Sequence, residues 1–478
     1  MSDELVIRQA AVLDPDRPLA VADIHIVDGV IVEVGDLRPT FGTPEIDGHW
    51  MIAMPGLVNA HTHSGQHLDR GMAPNLPLDL WLMWVVYAGI PFSPDDSYTL
   101  AMSGAIEMLG TGCTAVLDHA WVPSDGFDEH VEAMASAYAD CGIRCGLAPM
   151  IHDRDIFESM AFGDHDAPPP LGEADDPARL VEAMERYLID YAGRARFTPM
   201  VGPSAPQRCS DDLMVGLSGL AHTHGAPLHT HVLETRSQVV ATRERYSRSV
   251  VEYLDDIGAL TARTSLAHGV WMDADDFARV ESAKATVVHN PISNLRCGSG
   301  LLPLASLLDR RVSVALGADG AASGDNQNMF EAMKFAALIH TTSSPFRAWP
   351  TPEAVWQMCL AGGAKALCAP VGRIASGQRA DIVLLDPERH ACLDRDALVR
   401  SLVFAEHGES VHTVVVDGTV VVDSHTPLTA PLDHRAKARA LQVRINESLP
   451  QRKAMLDKYG PLLEAIHDRD NAPLVSHG

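Results

Sequence analysis

The chain has 478 residues, enough for one large domain and a smaller one. Hydrophobic residues make up 46% and charged residues only 21%, a globular balance with no extended disorder. The formal charge of -26 repels phosphates and argues against a nucleic-acid partner, although an acidic surface also serves simply as a solubility device. No stretch approaches the roughly eighteen apolar residues of a membrane span. The start, Met1-Ser2-Asp3-Glu4-Leu5, lacks the pattern of a signal peptide. Eight cysteines (Cys113, Cys141, Cys145, Cys209, Cys297, Cys359, Cys368 and Cys392) form no Cys-x-x-Cys pair, so neither a disulfide framework nor a thiolate zinc site is expected. A cytoplasmic protein is the expectation.

The first fifty residues alternate in β fashion, at Leu5-Val6-Ile7-Arg8, Ala22-Asp23-Ile24-His25-Ile26 and Gly29-Val30-Ile31-Val32-Glu33-Val34. The same texture returns at 372–374, 380–385 and 411–418. Together they predict a small β-sandwich built from both ends of the chain, residues 1–57 and 370–430. Between them, eight apolar strand candidates lie near 52–60, 113–118, 143–149, 196–201, 227–233, 264–268, 284–289 and 312–318. Helical stretches alternate with them; Ser210 opens one, Leu213, Leu217 and Leu220 mark its face, and Gly225 closes it. The expected fold class is α/β, a (β/α)8 TIM-type barrel over 58–369. A doubly wound open sheet is the rival, but no glycine-rich nucleotide loop follows the first strand. Residues 431–478, rich in Ala, Arg, Leu and Lys, read as a helical extension.

The chemistry gathers at strand ends. Pro55-Gly56-Leu57-Val58-Asn59-Ala60-His61-Thr62-His63 ends in two histidines at i and i+2, which on a strand share one face. Imidazole is the commonest metal ligand, though a lone His-x-His pair also arises by chance. The fifth strand ends with His229, His231 and Glu234, the sixth with His268, and the eighth with Asp319. Singly, each reads as a satisfied core histidine or a helix-capping carboxylate. Four strand ends supplying nitrogen and carboxylate donors together point to a metal.

These pieces resemble the amidohydrolase superfamily, in the branch of cytosine, guanine and S-adenosylhomocysteine deaminases and s-triazine hydrolases. The matching motifs are P-G-L-V-N-A-H-T-H, H-V-L-E-T at 231–235, A-H-G at 267–269, V-H-N-P-I-S-N at 288–294, L-G-A-D-G at 316–320, and G-R-I-A-S-G-Q-R-A-D-I-V-L-L-D at 372–386. The resemblance implies one divalent ion held by His61, His63, His231 and Asp319, with Zn2+ first and Fe2+ or Mn2+ as alternatives. It prefers His231 to His229 because the family pattern is metal His, two residues, then Glu. His229 would then orient its neighbour, and His289 with Asn290 would shape the end of the seventh strand. No lysine stands at the end of the fourth strand to bridge a second metal. Catalysis would rest on Glu234 as proton carrier to a ring nitrogen, on Asp319 as ligand and base, and on His268 as hydrogen-bond partner of the attacking water.

The implied activity is a metal-dependent hydrolytic deaminase releasing ammonia from an amino-substituted N-heterocycle of purine, pterin, triazine or pyrimidine type. Gln66, His67, Trp81 and Trp84, in the insertion after the first strand, are candidates to face such a ring, together with His119, Ser204 and Gln207. Packing against the barrel is the rival reading of the two tryptophans. Ser204 stands where adenosine-type relatives carry the histidine of G-P-H-S-P, which weighs against a nucleoside. The alternative keeps the site and changes the leaving group to chloride, an alkylamine or an opened ring amide. A metal-free, non-catalytic relative would have lost ligands, and here every one is present. The expected partners are a small heterocycle and a second copy in a homo-oligomer, with no nucleic acid and no membrane.

Overall fold

A computed structural model describes residues 3–38, 42–390 and 394–475. Cys392 lies outside the described residues; the other seven cysteines are free. Nine strands from both ends of the chain form one hydrogen-bonded sheet. Its order is Thr426–Pro427, Thr419–Asp423, Val411–Val416, Ile382–Leu385, Ile52–Pro55, Glu4–Val12, Ala20–Val27, Val30–Gly35, with Glu45–Asp47 beside Glu4–Val12. Ile52–Pro55 and Ile382–Leu385 pair antiparallel and join the two ends. Alternation sends Ile7, Ile24, Ile26 and Ile31 into one core with Ile374, Ile382, Leu384 and Val415. Two hairpins turn on Asp-Gly pairs, Asp28-Gly29 and Asp417-Gly418. All four residues have positive φ, as a two-residue turn matched to strand twist requires.

The apolar run 52–60 is not one strand. It breaks at Gly56, where a Cβ would lie 2.0 Å from Thr114 Oγ1, so only glycine lets the chain cross there from one sheet to the next. Eight strands of three or more residues lie between residues 57 and 316: β1 (Leu57–Thr62), β2 (Cys113–Asp118), β3 (Arg144–Leu147), β4 (Phe197–Pro199), β5 (Leu228–Val232), β6 (Thr264–His268), β7 (Thr286–His289) and β8 (Ser313–Leu316). They form two four-stranded parallel sheets, β1-β2-β3-β4 and β5-β6-β7-β8. Backbone bonds cross both gaps between the sheets. Between β4 and β5, Val201 N–H donates to Pro227 O (2.8 Å) and His229 N–H to Val201 O (2.9 Å). Between β8 and β1, Asp319 N–H donates to His61 O (2.9 Å). Val58, Ala60, Ala115, Leu117, Met200, Val288 and Ala315, drawn from both sheets and their margins, pack into one buried cluster. The fold is mixed α/β, with helices between successive strands. Helix Asp211–His224 shows the local logic: Ser210 Oγ accepts the Leu213 N–H, and Gly225 ends the helix in the left-handed region.

Two helices, His434–Glu447 and Leu449–Val475, end the described chain. Tyr459, Leu463 and Ile466 of the second pack on Leu80, Met83, Ile156 and Phe157. Arg452 forms a buried 2.7 Å ion pair with Asp69, in the loop after β1.

A second buried ion pair fastens the terminal sheet to the strands beneath it. The Arg144 guanidinium, at the start of β3, donates twice to Asp381 (2.8 and 2.9 Å) and once to Asp417 (3.0 Å). Removing one member leaves an uncompensated buried charge. Asp381→Ala is expected to lower the urea-unfolding free energy by about 3–5 kcal/mol. Arg186→Ala, which deletes an exposed pair with Asp128, should change it by less than about 1 kcal/mol. Equal effects would contradict the assigned role of the buried pair.

Candidate active site

The strand ends converge. His61 and His63 leave β1 with ring centroids 4.8 Å apart, and the ring of His231 from β5 lies 5.0 and 5.1 Å from them. His268 ends β6 with φ 73, and Asp319 follows β8 with φ 61. Left-handed backbone at two non-glycine residues is strain that persists only where the surroundings enforce it, and such positions cluster at functional sites.

Hydrogen bonding fixes the tautomers. His63 Nδ1–H donates to His119 O (2.6 Å), and His231 Nδ1–H donates to Ser204 O (2.6 Å). In the neutral form of each ring Nε2 is then unprotonated and turned inward, and the two nitrogens lie 3.2 Å apart. Two lone pairs cannot hydrogen-bond to each other. His61 Nε2 is buried without a hydrogen-bond partner and lies 3.5 Å from Asp319 Oδ1, which is 3.3 Å from His63 Nε2. A tetrahedral ion with ligands at about 2.0–2.1 Å has donor–donor edges of about 3.3 Å. The donor set fits a divalent metal.

Burial, then mutual repulsion, pushes the pKa of His231, His229 and His119 well below the ordinary histidine value, and burial pushes that of His61 down to about 4 against the opposing pull of Asp319. Neutral imidazoles are what metal ligation needs. Burial would raise Asp319, but His61, His63 and His268 outweigh it and hold the carboxylate well below its usual range. His229 Nε2 lies 2.8 Å from His61 Nδ1, and its own Nδ1 lies 2.7 Å from Ser265 Oγ. It orients His61, across the sheets, rather than its strand neighbour.

Glu234, His268 and Asp319 face one another. His268 Nε2 is 3.6 Å from Glu234 Oε2 and 3.9 Å from Asp319 Oδ2, while His268 Nδ1–H donates to Asn294 Oδ1 (2.8 Å). Ser299 Oγ–H donates to Glu234 Oε1 (2.9 Å). Burial, aided by Asp319, raises the Glu234 pKa against the opposing pull of His268. The site thus holds two carboxyls whose pKa values are pushed in opposite directions, Glu234 up and Asp319 down.

A cavity of ≈ 140 Å³ opens onto His63, His231, Glu234, His268 and Asp319. Gln66, Trp81, Ser204 and Gln207 line it. Gln66 Oε1 is buried and unpartnered, and the Trp81 indole N–H is fixed on Ala322 O (3.1 Å). His67, Trp84 and His119 are not on its wall. Ser64–Asp69 is a 3-10 turn, which swings His67 away from Gln66 and under helix Pro94–Gly110, where its Nε2 faces Glu107 (3.4 Å). Met83–Tyr87 is a π turn, so Trp81 and Trp84 share no α-helical face; the Trp84 indole donates to Met72 O (3.2 Å). His119 lies wholly buried amid the rings of His61, His63, His229 and His231. The His289 ring meets His340 (3.4 Å between Nε2 atoms), while Asn290 Nδ2 lies 3.4 Å from His268 Nδ1. Residues not anticipated from sequence are Asp79, His152, Arg208 and Ile466 on the cavity wall, and Ser299 and Asn294 behind it.

Nitrogen and carboxylate donors at the ends of parallel strands, over a cavity lined by a carboxyl of raised pKa, fit the site of a hydrolase. Residues 52–421 match the model of the amidohydrolase family, and the chain belongs to that family. It is a hydrolase of carbon–nitrogen bonds other than peptide bonds. It is 32% identical over 431 residues to a 5'-deoxyadenosine deaminase of Methanosarcina mazei, covering 88% of this chain and 93% of the relative. It is 34% identical over 404 residues to a 5-methylthioadenosine/S-adenosylhomocysteine deaminase of Thermococcus kodakarensis, covering 84% and 89%. An atrazine chlorohydrolase from Arthrobacter aurescens complexed with zinc superposes with TM-score 0.82 at 25% identity, covering 92% of this chain and 100% of that one. An adenosine deaminase from Xanthomonas campestris with bound zinc has the same fold, with TM-score 0.81 at 23% identity over 93% and 98% of the two chains.

Two outcomes follow. Protein purified without chelator should contain about one divalent metal per chain by elemental analysis. His61→Ala, His231→Ala and Asp319→Asn should lose most of it, and His229→Ala less, with folding checked by circular dichroism. Folded, fully active protein without metal would overturn the donor assignment. The second outcome concerns Asp79, pushed up to about 6 by burial and then by Glu234 and Asp470. A carboxyl raised in the fold adds no penalty when both states are protonated; its penalty builds as pH rises above the unfolded value and levels off above the folded one. Asp79→Asn should therefore gain stability over the parent, by about 1.5 kcal/mol at about pH 5 and about 3 kcal/mol at about pH 8. A difference independent of pH would contradict the buried, raised carboxyl.

Proposed function

We propose that the protein is a metal-dependent aminohydrolase releasing ammonia from an amino-substituted N-heterocycle of purine, pterin, triazine or pyrimidine type. The observation that carries this reading is Glu234, a buried carboxyl held by Ser299, facing His268 and Asp319, whose pKa burial raises. Attack on a cyclic amidine needs an acid for the ring nitrogen, and such a group contributes about 10²–10⁴-fold.

In this reading His61, His63, His231 and Asp319 hold one ion, zinc by preference, which when bound supplies Lewis-acid activation of water. Asp319 accepts the proton of the attacking water. His268, fixed through Nδ1 on Asn294, hydrogen-bonds the oxygen arriving at the amidine carbon. Glu234 protonates the ring nitrogen, a proton passes to the exocyclic amine, and ammonia leaves. Trp81 supplies a flat apolar wall for the ring, and the free Gln66 Oε1 accepts an N–H from it.

Aminopurines come first among candidate rings, because relatives named as deaminases of adenosine-type compounds align over most of the chain. Ser204 weighs the other way for a whole nucleoside. The alternative, another leaving group at the same site, draws its support from the likeness to a chlorohydrolase. Glu234 favours deamination, since a halide leaves without ring protonation. The reading extends to organisation: a closed TIM-type barrel over 58–369, a β-sandwich from 1–57 and 370–430, and a helical extension at 431–478. The bonds across both gaps between the parallel sheets support the barrel. No described helix is long and apolar enough to cross a membrane. We place the enzyme in the cytoplasm as a homo-oligomer, which light scattering tests.

Ammonia release from a panel of aminopurines, pterins, triazines and aminopyrimidines should be stoichiometric with at least one of them. Glu234→Gln should keep its metal while kcat falls by about two orders of magnitude or more. Chloride or alkylamine release without any deamination would move the enzyme to the alternative class. Loss of metal in Glu234→Gln would make Glu234 a ligand.

A further inference from the structure

Arg208 closes the short turn Pro206–Arg208 after β4 and lines the cavity, with only 6% of its surface exposed. Its guanidinium forms no ion pair among the described residues, and Nη1 is buried without a hydrogen-bond partner. Tyr87 offers it a neutral hydroxyl and a cation–π contact, with the ring 5.8 Å from Cζ, but no opposing charge. Neighbouring carboxylates are already committed. Asp155 accepts the Phe157 and Leu171 N–H groups, and Asp153 accepts that of Ser210. His152, also on the cavity wall, has a buried and unpartnered Nδ1. Burial and then the charge of Arg208 push the His152 pKa down to about 3, so that ring adds a neutral polar group rather than a second charge.

An arginine left buried and unpaired destabilises a fold, and removing such a charge is commonly neutral or stabilising. Its planar fork matches a carboxylate, which it binds through two parallel bonds that a neutral acceptor cannot supply. We propose that Arg208 forms a carboxylate-recognising subsite in the active-site cavity, so that the preferred substrate is an amino-substituted N-heterocycle bearing a carboxylate substituent. The heterocycle in this statement rests on the aminohydrolase reading; the subsite does not. Apolar neighbours such as Met150, Ile156 and Met160 exclude water and strengthen the pairing. Arg208 supplies a positive charge on this wall for one compact anion despite the overall negative charge.

The test is calorimetric binding to the metal-loaded protein of matched pairs: pterin-6-carboxylate against pterin, and S-adenosylhomocysteine against 5-methylthioadenosine. In at least one pair the acid should bind roughly tenfold or more tightly than its neutral counterpart. Arg208→Met should erase that preference while changing neutral-ligand affinity by less than about threefold, and Arg208→Lys should keep part of it. The ligand-free Arg208→Met protein should melt at or above the parent temperature, which a structural arginine would not allow. The proposal is overturned if neither acid outbinds its counterpart, if the preference survives in Arg208→Met, or if that variant is less stable or unfolded. Ammonia release, measured on the same compounds, separates the two readings. Arg208-dependent binding without ammonia would sink the reaction and leave the subsite.

Discussion

The site depends on two backbone carbonyls. His119 O and Ser204 O each hold a histidine Nδ1–H at 2.6 Å, and by doing so turn the Nε2 lone pairs of His63 and His231 toward each other. An arrangement with two unprotonated nitrogens 3.2 Å apart is repulsive until a cation lies between them. The surrounding fold accepts that repulsion: His61 Nε2 is left unpartnered, and His268 and Asp319 take left-handed backbone. Rigid parallel strands supply the precision, because each donor leaves a strand end whose neighbours are bonded on both sides.

Much of this was legible in the sequence because strand periodicity is simple. His61 and His63 at i and i+2 had to share a face, and apolar runs marked the strands that carry His231, His268 and Asp319. The choice of His231 over His229 came from family spacing, and the structure gives the two rings different partners, Ser204 O for one and His61 with Ser265 for the other. Local helix type was not legible. A 3-10 turn separates Gln66 from His67, and a π turn separates Trp81 from Trp84, so only the first of each pair reaches the cavity. The break at Gly56 was also hidden, because the run from Ile52 to Ala60 is apolar on both sides of it.

Residues that meet only in the folded chain were beyond a linear reading. Asp79 gains its raised pKa from burial, Glu234 and Asp470, three elements far apart in sequence. Arg208 looks like any surface arginine until its lack of a partner is seen. The C-terminal helix Leu449–Val475 carries no motif, yet its Ile466 lines the cavity and its Arg452 pairs with Asp69 in the turn after His63. The end of the chain thus bears on the shape of the pocket, a link between tail and specificity that composition alone could not suggest.

The central claim is that three imidazoles and one carboxylate hold the ion, with no thiolate among them even though Cys297 also lines the cavity. X-ray absorption at the metal edge of the purified protein measures this directly. The account predicts a first shell of nitrogen and oxygen only, at about 2.0–2.1 Å, with outer-shell scattering from about three imidazoles. A sulfur shell at about 2.3 Å, or metal–metal scattering from a second ion, would contradict it.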